Sequence, residues 1–399
     1  MEPTDELEDR PIWRDPRAVA LMMTASLTVM TAATISPALP GLEKQFASGE
    51  THTLLIRLLV PAPSLAVILV APWCGAIADR SGRRRMLLAG LILFIISGSA
   101  GLVLPTLASI MVSRFCLGVA LAMIMTAQTA LMGDYFSGRA LHSISSAQVS
   151  ARNFGGFVFI VIAGMLATIE ARLPFAVYAL PALALPFFWR IIADPPSSMP
   201  VEQHTTSAAP SRLQPIVYFL ALGQMVTTML FFVMPTQLPF FLSGQGYSSP
   251  AMTGAALGTL MLAGGSAALY YPHLRAAIGH AGNWACGFGL MALGFAALVT
   301  TKTGMAVFFG CAAIGAGYAL AIPGFIALSL GATAPDRRGK TGALLTGSVF
   351  LGQFLSPLIS SPAISEWGWR VSGIGIAAVL GTLALISAVA FQHVRRDAI

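Results

Sequence analysis

An all-α membrane protein, with twelve transmembrane helices in two pseudo-symmetric six-helix bundles, is the fold class this sequence predicts. Three observations lead there. Of 399 residues, 56% are apolar and only 10% are charged, where soluble domains carry roughly a quarter charged. The apolar residues gather into runs of about the 20 residues a helix needs to cross hydrocarbon. The lysines and arginines between those runs alternate between a rich side and a poor side, as topology requires.

The runs cover about 18–39, 54–78, 87–105, 107–131, 143–168 and 174–193, then 216–242, 250–274, 284–300, 304–330, 341–362 and 370–391. Between the sixth and seventh lies a polar, Pro/Ser-rich stretch, the only long hydrophilic break. The organisation read from this is a tail at 1–17, a first bundle at 18–193, a linker at 194–215, a second bundle at 216–391 and a tail at 392–399.

With the N-terminus placed in the cytoplasm, sixteen basic residues fall at cytoplasmic ends (Arg10, Arg14, Arg17, Arg80, Arg83, Arg84, Arg85, Arg139, Arg190, Arg212, Arg275, Arg337, Arg338, Lys340, Arg395 and Arg396). Five fall opposite: Lys44, Arg57, Arg172, Lys302 and Arg370. Positive loops stay inside, so both termini are expected there, in a bacterial inner membrane. The net charge of +7 is spread over helix ends rather than gathered in one patch, which excludes a nucleic-acid surface. The apolar run after Arg17 is too long for a signal-peptide core and is read as a retained first span. The four cysteines, Cys74, Cys116, Cys286 and Cys311, all sit inside apolar runs and offer neither a disulfide framework nor metal-ligand spacing.

The halves echo one another. SPALPG at 36–41 and MPTQLPF at 234–240 close the first and seventh runs, with their Leu-Pro pairs offset by 199. Gly138-Arg139 and Gly339-Lys340 are offset by 201, and Gly82 and Gly279 by 197. A near-constant offset points to a duplicated unit, and parallel repeats of this kind place a substrate site near midplane between the halves.

The segment GAIADRSGRRRMLL at 75–88 resembles the loop 2–3 signature of the major facilitator superfamily. Gly75 permits close helix approach, Gly82 a tight turn, and the arginines, Arg83 among them, anchor the loop. The resemblance implies that Asp79 latches the inner gate against the N-terminal end of helix 11, where a helix dipole favours an anion. A second segment, SRFCLGVALAMIMTAQTALMGDYFSGRA at 113–140, resembles the family's helix 4 signature, with Arg114 and Gly118 at its start and Asp134, Tyr135, Gly138 and Arg139 at its end. Arg114, Asp134 and Arg139 thereby join Asp79 and Arg83 as expected gating or coupling residues. The closest branch by these motifs is the twelve-helix drug:proton antiporters, although helix 5 keeps Gly155, Gly156 and Gly164 without the proline of the fuller antiporter motif.

None of the sixteen acidic residues falls mid-membrane. Many antiporters of that branch carry a proton on a helix 1 carboxylate; here helix 1 offers only Thr24, Ser26, Thr28, Thr31, Thr34 and Ser36. The interior is basic instead. Arg152 lies about 13 residues past Arg139, roughly 20 Å along its helix at ~1.5 Å per residue, and its repeat mate is Gln353. A charge there is costly, ~2.5–3.5 kcal/mol on insertion scales, and marks a functional cavity. With no acid nearby, a substrate carboxylate or phosphate would suit its guanidinium; backbone carbonyls or water are the other partners open to it. Gln128, Gln148, Gln224, Gln237, Tyr318 and Gln353 are further candidate ligand contacts, each equally able to join helices. The 23 phenylalanines and 18 methionines suit an amphiphilic ligand.

The expectation is a monomeric secondary carrier of a small organic, amphiphilic or anionic compound, working by alternating access without a cofactor or metal. Efflux with proton exchange is what the resemblance implies, and an importer or facilitator of a metabolite anion is the alternative. No H-E-x-x-H, paired mid-membrane acids or nucleophile elbow speaks for an enzyme.

Overall fold

The computed structural model describes residues 14–46, 50–194, 213–300, 303–334 and 337–396. Among the described residues the regular structure is helical: α1 (Pro16–Ala33), α2 (Leu39–Phe46), α3 (Glu50–Leu58), α4 (Ala62–Ser81), α5 (Arg83–Ser99), α6 (Leu107–Tyr135), α7 (Gly138–Ile169), α8 (Pro181–Ile191), α9 (Pro215–Gly244), α10 (Pro250–Thr300), α11 (Gly304–Gly331) and α12 (Arg338–Arg396). Short 3-10 turns join α1 to α2 at Ser36–Ala38 and lead into α8 at Leu173–Ala179.

Helix starts follow local chemistry. The Asp15 carboxylate accepts from the Arg17 N–H at 2.8 Å, with Pro16 at the first helical position, where its missing N–H costs nothing. Thr106 and Ser109 form a reciprocal capping box at α6.

Nine helices among the described residues are long and apolar enough to cross a membrane, or ten if α3 and α4, bent by 55° across a short break, make one span. That count departs from twelve separate runs for a physical reason. α10 has 51 residues and α12 has 59, each more than twice the ~20 a single crossing needs. Each is interrupted at one glycine, Gly279 (φ 63°) and Gly368 (φ 73°). A positive φ carries no Cβ penalty at glycine, so the chain turns there without a loop. Gly82, offset from Gly279 by 197 residues, also has a positive φ, 92°.

The most apolar stretch lies within Arg338–Gln392, and only 11% of it is buried. A soluble protein would bury such a segment first. Leu183, Phe219, Met305 and Leu385 are likewise exposed, so the outer surface is built for hydrocarbon.

Helices α1, α4, α5, α6 and α8 pack chiefly within one set that includes α7, and α9, α11 and α12 within a second that includes α10; α7 packs on both α1 and α10. The two sets meet through α7 against α10 and α4 against α12. At the end of the molecule that carries α2 and α3 they are sealed together. A buried cluster there joins Ile35, Leu39 and Ile56 with Leu238, Leu242 and Leu257. The Ser36 hydroxyl donates to the Pro235 carbonyl across the seam, a pair separated by 199 residues, the repeat offset itself. Gly164 and Gly254 cross so closely that a Cβ on Gly254 would lie 2.9 Å from the Gly164 Cα; only small residues permit such an approach.

Candidate functional site

Between the two sets of helices lies a cavity of about 670 Å³. Its floor, near Val60, Ile160 and Pro235, abuts the sealed end, and its walls run to Leu330, Gly342 and Thr346 beside the α11–α12 connection. At that second end the close contacts stop. Gly75, Gly339, Gly342 and Gly347 have nothing within 4 Å of where a Cβ would stand, and Val149 and Ile326 on the wall are exposed. The cavity therefore opens toward the end where α1 begins.

Arg152, near the middle of α7, is the one charged side chain among the described residues that line this cavity. Its side chain is exposed to the open space of the cavity. No carboxylate or hydrogen-bond acceptor among the described residues pairs with it. Around it stand Asn153, Gln224, Tyr318, Gln353 and Ser64, and an apolar wall that includes Met125, Phe231, Phe232, Met261 and Phe350. Tyr318 stacks on Phe231 with ring centroids 3.9 Å apart and planes 17° from parallel, and its hydroxyl lies 3.2 Å from the Thr228 hydroxyl. The Gln224 side chain is buried, and its carbonyl oxygen has no hydrogen-bond partner among the described residues.

Four of the seven candidate ligand contacts, Arg152, Gln224, Tyr318 and Gln353, line the cavity. Three do not. The Gln128 amide donates to the Leu21 carbonyl at 2.9 Å and ties α6 to α1. Gln237 donates to the Ser360 and Ser361 hydroxyls at 3.1 and 2.7 Å and ties α9 to α12. Gln148, one turn before Arg152, lies off the lining, where Val149 takes its place.

Gln353 spans the seam by accepting from the Ser64 hydroxyl at 2.7 Å. Interhelical hydrogen bonds in membranes average only ~0.6 kcal/mol. Ser64→Ala is therefore expected to change uptake by less than about 3-fold, measured in reconstituted vesicles, so this bond is a minor latch.

Asn153 was not among the expected contacts. Gly264 and Gly265 on α10 make room for it: a Cβ on Gly265 would lie 3.0 Å from the Asn153 Cβ. The doublet Gly264-Gly265 inside an apolar run was the signal, but it does not say which helix will fill the space.

The expected gating residues lie apart from the cavity. The side chains of Asp79 and Arg139 fall outside the described residues. Gly82 ends α4, and the Arg84 N–H just beyond it donates to Asp194 Oδ1 at 2.8 Å, while the Arg84 guanidinium donates to the Trp189 carbonyl at 2.8 Å. Arg83 forms an ion pair with Asp134. These bonds tie the α4–α5 turn to the ends of α6 and α8 within one half, whereas Gly75 makes no close helix contact in this conformation. Arg114 is fully buried away from the cavity. It donates to the Gly98 carbonyl at 2.7 Å and lies over the rings of Phe175 and Tyr178 at 5.0 and 4.7 Å, aromatic faces that stabilise a cation. Among the described residues no cluster of His, Cys, Asp or Glu could hold a metal ion.

Comparisons with known proteins agree with this geometry. A family model described as Major Facilitator Superfamily matches residues 21–328. Quinolone resistance protein NorA of Staphylococcus aureus is 30% identical over 129 residues, covering 30% of this chain and 31% of NorA; the match thus spans about a third of that relative. Among solved structures, a D-xylose–proton symporter superposes with a TM-score of 0.72 at 16% identity, over 92% of this chain and 96% of its own. A bacterial homolog of the human lysosomal transporter Spinster, in an inward-facing and occupied conformation, gives 0.70 at 14% identity, over 97% and 98%. The nucleoside transporter NupG gives 0.71 at 12% identity, over 96% and 99%. At these identities the structures speak for the fold alone. A family model covering most of the chain settles the rest: this multi-pass membrane protein is a transporter, not an enzyme, and belongs to the Major Facilitator Superfamily.

Proposed function

We propose that the protein exports a small organic anion or anionic amphiphile by alternating access, its two six-helix halves rocking around the central cavity. One observation carries this reading: among the described residues, a cavity sealed at one end and open at the other holds a single charge, the guanidinium of Arg152, amid aromatic and thioether side chains. An unpaired guanidinium recognises carboxylate, sulfonate or phosphate groups, and the apolar wall suits the body of the ligand.

Twelve crossings are the reading that best accommodates α10 and α12, whose glycine bends at Gly279 and Gly368 divide each into two lengths near one bilayer thickness. With the basic residues assigned to the cytoplasm, both termini lie inside and the open end of the cavity faces inward. The division into bundles at 18–193 and 216–391 is supported by the way α4 and α7 of the first set cross α12 and α10 of the second. The likeness to NorA, over its limited span, favours export. The chain is taken to act as a monomer in the inner membrane of a bacterium, and Asp79, Arg83, Arg114, Asp134 and Arg139 are proposed to govern opening and closing rather than ligand contact. Uptake of naphthalene-2-sulfonate, an aromatic monoanion ionised at all working pH values, into vesicles bearing wild-type protein or Arg152→Ala tests the reading.

A further inference from the structure

The same arrangement bears on what drives transport. Proton-coupled carriers need a group that takes up and gives off a proton as the cavity changes side. The cavity lining contains two titratable side chains among the described residues, Arg152 and Tyr318, and neither type ordinarily exchanges a proton near neutral pH. Among the described residues no His, Asp, Glu or Lys lines it. The acids whose side chains are described lie off the cavity: Asp15 caps α1, Glu43 lies in α2, Asp134 is near the end of α6, Glu170 caps α7, Asp194 follows α8, and Glu366 precedes the Gly368 bend.

Arg152 also sets a condition on the empty carrier. In the open conformation its charge is solvated through the mouth. To change sides, the mouth must close before the sealed end parts, and the guanidinium is then confined among Phe231, Phe232, Met125, Met261 and neutral amides. A buried charge left without its partner is strongly destabilising. A bound monoanion removes that cost and leaves the occluded site electrically neutral. The loaded carrier can pass through occlusion and the empty one cannot.

The geometry points to obligatory anion exchange: the protein carries one organic monoanion outward for each anion it carries inward, with no proton in the cycle. This rests on the anionic-ligand reading of the cavity. The energy for export then comes from the inward gradient of the counter-anion.

The test uses the purified full-length protein in vesicles. Uptake of labelled naphthalene-2-sulfonate is compared with and without unlabelled naphthalene-2-sulfonate inside, and with an imposed pH gradient of either sign. Internal sulfonate should accelerate uptake at least ~10-fold, because the return step then avoids an unpaired buried charge, and the pH gradient should do nothing. Equal uptake into vesicles lacking internal sulfonate, or accumulation driven by the pH gradient, would overturn exchange. Calorimetric binding of the same sulfonate to wild type and Arg152→Gln separates the two layers. If wild type binds, Arg152→Gln does not, and uptake still follows the pH gradient, exchange is refuted and the anion site stands. If Arg152→Gln binds as well as wild type, or wild type does not bind, both fall.

Discussion

Arg152→Ala is expected to lower naphthalene-2-sulfonate uptake by about 10- to 100-fold, since hydrogen bonds to charged groups contribute ~1.5–3 kcal/mol. The stability of the same variant should move the other way. Arg152 has no counter-ion among the described residues, and an intramembrane charge costs ~2.5–3.5 kcal/mol on insertion scales. Removing it should leave the thermal midpoint of the detergent-solubilised protein unchanged or higher. Arg152→Lys should recover only part of the transport, because a point charge cannot reproduce bidentate contact. Loss of transport with loss of fold would mean the arginine holds the structure together, against the placement described above.

The second large effect is expected at the seal. A Cβ on Gly254 would meet the Gly164 Cα and the Ile160 carbonyl oxygen, both at 2.9 Å, and those atoms are backbone, which cannot swing aside. Gly254→Leu should therefore force α7 and α10 apart at that end. Overpacking typically costs 1–3 kcal/mol, about 5- to 150-fold in the balance between two conformations. Because the strain is confined to the state with this end closed, the opposite state should gain. Uptake should fall at least ~10-fold, and a thiol reagent should react more slowly with a cysteine placed at Thr346 on the mouth. Unchanged transport and labelling would show that the Gly164–Gly254 contact does not govern which end is shut.

The overall plan was legible in the sequence because the solvent imposes it. Hydrocarbon demands long apolar runs, and the basic residues mark their ends, so the spans could be read without any tertiary information. The offset of 199 read from the sequence also separates Ser36 from Pro235, which are in contact, and Arg152 and Gln353, offset by 201, both line the cavity. The reading failed where the answer depends on which face of a helix meets which neighbour. Gln128 and Gln237 look like Gln224 and Gln353 in sequence, polar residues in apolar runs, yet the first two spend their amides on joining helices. Asn153 was missed because its exposure to the cavity depends on glycines more than a hundred residues away. Gly279 and Gly368 are where the boundaries between runs are hardest to see, because a single non-helical glycine turns the chain there between two helical lengths.

The measurement that bears most directly on alternating access around Arg152 is the separation across the open mouth. Spin labels at Gly75 and Gly342, both without close neighbours in this conformation, would report it by pulsed electron–electron double resonance. Naphthalene-2-sulfonate should shift the distribution toward shorter distances as the mouth closes on the neutralised site, and the shift should vanish in Arg152→Ala. A distribution indifferent to the anion, or one that closes equally in the variant, would contradict the account.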